Sequence, residues 1–333
     1  MSMNSQIPPV FLDLCGIKIS IAYDCPQGIC VESRYRNFIQ AIVKEPDYVI
    51  RICSELPATK SQPLKLIRVP LIVTSASGRW ISTNQHYQIT IFEGFTQFDI
   101  PFRDQISPIR MRVSNNPDEK CILATTAEGS KFPILPYPLD ILLLYHLGQW
   151  FDLLIFHGAG FSLNDRGFLC LGRSGAGKST LSGIVEDFAG KLIQDDRVIL
   201  QKTGEGWLIH PLPLHPDNRP VHCNLDAIYC LFHGQSTNRE IPLYGESKLK
   251  NSLPHLVQFP SWQNPFVNSL HLVQLLMKQI SLSELFFIPN HSIIEYLKHV
   301  KARSKSHFIP LTKPLPGEIQ SDWNQHGSSN IPR

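Results

Sequence analysis

FHGAGFSLNDRGFLCLGRSGAGKSTLSGIVEDFAGKLIQDDRVIL, residues 156 to 200, is the stretch from which the rest of the chain can be read. At its centre, Gly172-Arg173-Ser174-Gly175-Ala176-Gly177-Lys178-Ser179 satisfies G-x-x-x-x-G-K-[ST] in full. Glycines at 172, 175 and 177 open backbone conformations closed to other residues, so consecutive N–H groups can converge on one anion. Thr180 to Ala189 reads as a helix whose positive end faces that anion, while Lys178 adds a full charge and the Ser179 hydroxyl can ligate Mg²⁺. Gly172 to Thr180 therefore form a candidate nucleotide-binding loop, and a nucleoside triphosphate with Mg²⁺ is the implied ligand, ATP being the one expected.

Context supports the loop on both sides. Gly167 to Leu171 is an apolar run that predicts the preceding strand. Leu181, Ile184, Val185 and Phe188 recur after the loop at helical spacing.

A chain of 333 residues with 43% hydrophobic and 18% charged side chains is globular and long enough for two domains. Its net charge of +3 gives no argument for nucleic acid, and the basic cluster Lys298, Lys301, Arg303 and Lys305 reads as a solvated helix end. No stretch has the length needed to span a bilayer and the N-terminus lacks the pattern of a signal peptide, so a cytoplasmic protein without a membrane partner is expected. Eight cysteines lie scattered without a C-x-x-C pair, most inside apolar runs, which predicts buried thiols rather than disulfides or zinc.

Residues 1 to 135 are expected to form a β-rich N-terminal domain. Phe11 to Ala22, Tyr48 to Cys53, Leu64 to Val73, Arg79 to Phe92 and Ile109 to Val113 alternate in part, which predicts five to seven short strands in a mainly antiparallel sheet. Tyr35 to Val43 reads as its helix. Eight arginines, at 34, 36, 51, 68, 79, 103, 110 and 112, suit either a solvated face or the docking of an acidic peptide.

Prolines 133, 136 and 138 mark a boundary, after which residues 136 to 305 read as a catalytic domain and 306 to 333 as a disordered tail. Leu139 to Trp150 predicts an apolar helix packed against the next domain's sheet, and Asp152 to Phe156 a strand ending at His157-Gly-Ala-Gly160. Asp226 to Phe232 reads as a buried strand, Leu285 to Ile288 as a short one, and Ser247 to Leu256, Phe266 to Ile280 and Ser292 to Ala302 as helices.

Phosphoryl transfer needs a phosphate cradle, a metal, and a group that orients or deprotonates the nucleophile. Asp195 and Asp196 can serve the last two needs: side chains alternate at a strand end, so one carboxylate can reach the metal beside Ser179 while the other faces an incoming hydroxyl. Mutual repulsion or burial should raise the pKa of one of them toward that of a useful base. A DD pair alone is a weak signal; one helix after a phosphate loop it is a strong one. His157 closes an apolar strand where phosphate and carboxylates should meet, and can relay a proton to Asp196.

Taken in order, H-G-A-G, G-R-S-G-A-G-K-S and Q-D-D-R-V resemble the catalytic domain of the bacterial HPr kinase/phosphorylase family over about residues 150 to 235. The resemblance implies an α/β fold with a P-loop kinase core of HPr kinase and phosphoenolpyruvate carboxykinase type, preceded here by the small β-rich domain. It further implies that Lys178 and the loop hold nucleotide, that Ser179 and an acidic residue hold Mg²⁺, and that one aspartate of the pair acts as base with His157 assisting. The resemblance leaves open which aspartate takes which role, and the expectation adopted is Asp196 as base with Asp195 at the metal. Thr180 stands where HPr kinases usually carry an acidic residue, and their downstream signature loop has no counterpart here. The chain thus looks more similar to the stand-alone relatives, some of which phosphorylate a serine of a ribosomal peptide such as a lasso-peptide precursor. The expected function is an ATP-dependent serine kinase acting on a peptide or protein; a small-molecule kinase and a non-catalytic nucleotide-binding regulator are the alternatives.

Overall fold

The structure, a computed structural model, describes residues 9–23, 29–41, 43–74, 80–101, 108–125, 131–188, 190–258 and 265–299. The expected tail, Cys25, Arg79, Arg103 and most of the basic cluster lie outside these described residues.

The N-terminal part is built on strands β1 (Val10–Leu14), β2 (Ile17–Tyr23), β3 (Ile29–Cys30), β4 (Ile39–Gln40), β5 (Tyr48–Ile52), β6 (Lys65–Thr74), β7 (Trp80–Ile91), β8 (Phe95–Ile100), β9 (Ile109–Ser114), β10 (Cys121–Thr125) and β11 (Phe132–Pro133). Nine of them form one sheet in the order β4-β1-β2-β5-β10-β9-β8-β7-β6, while β3 pairs with β11. The sheet is larger than the sequence predicts. Phe11 to Ala22 is a hairpin rather than one strand, because the chain reverses at Cys15 and Gly16 with φ of 58° and 80°. In β8 the buried Thr96 occupies an apolar slot and its hydroxyl donates to the side-chain Oδ1 of Asn115 at 2.9 Å, which hides the alternation. β5 pairs in parallel with both β2 and β10; the other pairings in the sheet are antiparallel.

The helix expected at Tyr35 to Val43 is a single 3₁₀ stretch, Ser33–Phe38, leading into β4. Its Tyr35 and Phe38 are buried at the three-residue spacing of that helix, while Arg34 turns inward. Arg34 is therefore no docking group: its guanidinium meets Asp140 Oδ2 at 2.6 Å and donates to the carbonyls of Leu135 at 2.8 Å and Pro213 at 3.1 Å. Arg110 is held by Asp99 at 3.0 Å and Arg112 by Gln97 at 2.8 Å, so these two charges are also engaged within the sheet.

Helix α1 (Leu139–Gly148) is buried along its whole length, as expected of a helix apolar on every side. Its leucines share one core with the N-terminal sheet and with Leu153, Ile155, Ile199 and Leu212 from the chain beyond, so it packs on more than the following sheet.

That following sheet contains β12 (Leu153–Leu163), β13 (Arg166–Leu171), β14 (Lys191–Gln194), β15 (Arg197–Thr203), β16 (Gly206–Pro211), β17 (Cys223–His233), β18 (Arg239–Pro242) and β19 (Ser281–Phe287). The order is β13-β12-β15-β16-β17-β19-β18, with β14 on β12, and β17 also pairs with β13. Helices α2 (Lys178–Asp187) and α5 (Ser292–His299) cover one face through Leu181, Val185, Ile293, Ile294 and Leu297. The opposite core receives Leu272, Val273, Leu276 and Met277 of α4 (Pro265–Gln279), with Leu249 of α3 (Glu246–Ser252) against it. Alternation along β17 serves both: Ile228 and Cys230 enter one core, Tyr229 and Leu231 the other. Phe188, counted above with the apolar face of α2, is instead exposed.

Seven cysteines are described and form no disulfide with one another; Cys15, Cys170 and Cys230 are buried, whereas Cys30 and Cys121 are exposed, contrary to the expectation that most would be hidden. Among the described residues, no helix is long and apolar enough to cross a membrane.

Candidate active site

The loop follows β13 directly and ends at Gly177, which adopts φ of 97° and stands as the N-cap of α2. A Cβ at 177 would lie 2.7 Å from the Phe287 ring, so this position needs glycine for its conformation and for its closeness to β19. Gly175, at φ 81°, has open space where a side chain would be. Lys178 curls back over the loop, donating to the carbonyls of Gly172 at 2.7 Å and Arg173 at 3.2 Å. Burial pushes its ammonium below the ordinary value, and the carboxylates of Asp195 and Asp196 act in the opposite sense. Loop, lysine and both aspartates thus share one electrostatic site.

Strand β12 does not end at His157, as the sequence suggests, but continues to Leu163. It can continue because Gly158 and Gly160 leave room: a Cβ at 158 would meet the Cys170 carbonyl at 2.8 Å, and one at 160 the Ile209 side chain at 2.9 Å. His157 is the last residue of β12 paired with β15, opposite Arg197, and from Gly158 the strand pairs with β13. On the side that β15 leaves, β14 takes over from Gly160, so the Asp195-Asp196 turn between β14 and β15 falls beside His157.

Asp195 and Asp196 occupy the tight turn between β14 and β15. Strand alternation therefore does not set their directions, a correction to the sequence argument. The Asp195 carboxylate accepts the Asp196 N–H at 2.9 Å, and Asp196 takes the left-handed φ of 82° that aspartate tolerates better than most residues. Gly158 N–H donates to the Asp196 carbonyl at 3.0 Å, tying the turn to β12. From below, the fully buried Gln194 donates through Nε2 to the Asp195 carbonyl at 2.9 Å.

The turn brings Asp196 Oδ1 to 3.2 Å from His157 Nδ1 and Asp196 Oδ2 to 3.9 Å from Arg197 Nε. Burial pushes the Asp196 carboxyl up, but the His157 hydrogen bond and the charges of Arg197, His157 and Lys178 outweigh it, so its pKa lies below the ordinary value. The expectation that one member of the pair would be raised fails for Asp196, because cationic groups surround it.

Three further residues join the site that the sequence analysis gave no role. Arg197 lies over the Tyr137 ring at 5.4 Å, which brings a residue from before α1 beside the turn. His233, at the end of β17, has its Nε2 3.0 Å from the Gly175 carbonyl. His255, in the 3₁₀ turn after α3, has its pKa pushed down by burial and then by Lys178, His157 and Arg173. Only the R of Q-D-D-R-V was legible in advance; the two histidines lie far along the chain with no motif around them.

The residues present suit a nucleotide and a divalent ion. The glycine loop, the lysine beside it and the α2 N-terminus are the groups that would hold an anion. Among the described residues, no three His, Cys, Asp or Glu side chains group closely enough to hold a metal by themselves. The Ser179 hydroxyl and the Asp195 carboxylate would make a partial oxygen donor set, of the kind Mg²⁺ completes with phosphate oxygens and water.

No family model matches this chain, and no curated protein matches it. Among solved structures it is similar to the Hpr(Ser) kinase/phosphatase from Coxiella burnetii, at 13% identity and a TM-score of 0.26, over 43% of this chain and 91% of that one. A likeness this distant leaves the chemistry to be argued from the residues themselves.

Proposed function

We propose that the chain is an ATP-dependent kinase that phosphorylates a serine hydroxyl of a peptide or protein. The observation that carries this reading is the His157–Asp196 pair, 3.2 Å apart and in the electrostatic field of the phosphate-loop Lys178. A simple nucleotide-binding regulator has no need of a carboxylate and an imidazole aligned beside the loop.

Bound nucleotide would supply the transferable phosphoryl group, with Mg²⁺ neutralising charge on it. Lys178 and the loop N–H groups, Gly172 to Thr180, hold the phosphates; Ser179 and Asp195 hold the metal. Asp196 accepts the proton of the acceptor hydroxyl as it attacks. Its lowered pKa keeps it ionised near neutrality, so it is ready to accept, although a weak base in the ground state. His157 orients that carboxylate through Nδ1 and can take the proton onward. Residues 1–135 would recognise the acceptor, a role supported by Tyr137, just past that segment, lying against Arg197 at the site. The motif resemblance to HPr kinases favours serine over other hydroxyls, and the missing signature loop favours an acceptor other than HPr.

The test is to incubate the full chain with Mg-ATP and serine-containing peptide libraries and to search for phosphoserine by mass spectrometry, with Lys178→Ala as control. Phosphoserine that disappears in Lys178→Ala supports the reading. Tight nucleotide binding with transfer to no peptide or protein, in either chain, would leave the regulator reading in its place.

A further inference from the structure

A second histidine that no motif announces lies within the electrostatic reach of His157. The segment after α3 runs antiparallel to the start of β12: Leu256 bridges Phe156, and the Val257 N–H donates to the Ile155 carbonyl at 2.8 Å. His157 and His255 are the chain neighbours of this bridge, His157 within β12 and His255 as the last residue of the 3₁₀ turn. His255 is half-buried and lies in the field of Lys178 and Arg173 from the loop and of His157 from β12. Asp196 is bonded to His157 Nδ1. His255 is thus the histidine under the influence of the loop cations, and His157 the one paired with the aspartate.

We infer that His255 is a second histidine of the site, donating a hydrogen bond to the terminal phosphate of a bound nucleoside triphosphate. The inference rests on the nucleotide reading of the loop. Lysine of a phosphate loop reaches the β and γ phosphates, so a histidine acted on by Lys178 and Arg173 of the loop as well as by His157 is placed for the phosphate that is transferred. A negative phosphate also suits the surroundings of His255, where Lys178, Arg173 and His157 are all positive or able to become so. Contact with the terminal phosphate alone implies discrimination between triphosphate and diphosphate.

The experiment is calorimetric titration of the full chain with Mg-ATP and with Mg-ADP, for the wild type, His255→Ala and His255→Gln. His255→Ala should weaken Mg-ATP by about ten- to a hundredfold, as loss of a charge-assisted hydrogen bond does, and change Mg-ADP by no more than about threefold. Retained Mg-ADP binding also reports an intact fold. His255→Gln, which keeps a donor, should recover part of the Mg-ATP affinity. Equal losses for both nucleotides would make His255 a structural residue and overturn the inference, as would unchanged affinity for both. If the wild type binds neither nucleotide, the loop reading itself is wrong and this inference falls with it.

Discussion

His157 Nδ1 and Asp196 Oδ1 stand 3.2 Å apart, and the same two segments are tied a second time through the Gly158 N–H and the Asp196 carbonyl at 3.0 Å. Side chain and backbone together fix the carboxylate against the imidazole. A turn held in this way can keep a non-glycine residue at a left-handed φ, a conformation that costs energy and tends to persist where geometry matters.

Asp196→Asn keeps size and the left-handed backbone but removes basicity. Nucleotide should bind with near-normal affinity while transfer falls by roughly 10²–10⁴, the usual range for loss of a general base. Calorimetry with Mg-ATP alongside single-turnover transfer makes the comparison. Loss of Mg-nucleotide binding in Asp196→Asn, with Asp195→Asn unaffected, would mean that the two aspartates have exchanged roles.

The folded pKa of Asp196 lies below its ordinary value, so its ionised form is favoured by folding. Its contribution to stability is complete above the unfolded carboxylate value of about 3.9 and drains away as pH falls through the lower folded value. Urea midpoints measured between about pH 5 and pH 2 should fall less steeply for Asp196→Asn than for the wild type. Equal slopes would show that His157 and Arg197 do not stabilise the charge.

Gly177→Ala should cost about 1–2 kcal/mol from its φ of 97° alone, and more because the new methyl would lie 2.7 Å from the Phe287 ring. Gly175→Ala carries a similar backbone cost with no neighbour in the way. Chemical unfolding should therefore rank Gly177→Ala as the less stable variant. A ranking in the other order would show that Phe287 yields freely.

Asp140 is wholly buried beside Arg34, 2.6 Å away, and the Arg34 side chain retains 11% exposure. Asp140→Leu leaves that guanidinium without its buried partner, a change expected to cost about 3–5 kcal/mol. Adding Arg34→Met should restore only part of it, since the Pro213 carbonyl then loses the guanidinium and the Leu135 carbonyl keeps only the Tyr35 hydroxyl. Urea denaturation of single and double variants reads the difference; full restoration would mean those carbonyls find other partners.

The loop, the helix after it and the Asp195-Asp196 pair were legible in the sequence because each is local: a glycine pattern sets a turn, an apolar period sets a helix, and the chemistry lies within a few residues. Most strand positions were legible for the same reason, and the misses fell where local signals mislead. The turn at Cys15 and Gly16 sits inside an apolar run, Thr96 fills a core slot, and glycines 158 and 160 mark close packing rather than a strand end. Only the tertiary structure decided what depends on distant segments meeting. The bridge between Phe156 and Leu256 brings His255 within reach of His157 and burial hides Arg34 on Asp140, while Arg197 and His157 lower the Asp196 pKa that the DD pair alone would raise. Electrostatic environment and register are properties of neighbours in space, and those neighbours are chosen by the packing of the whole chain.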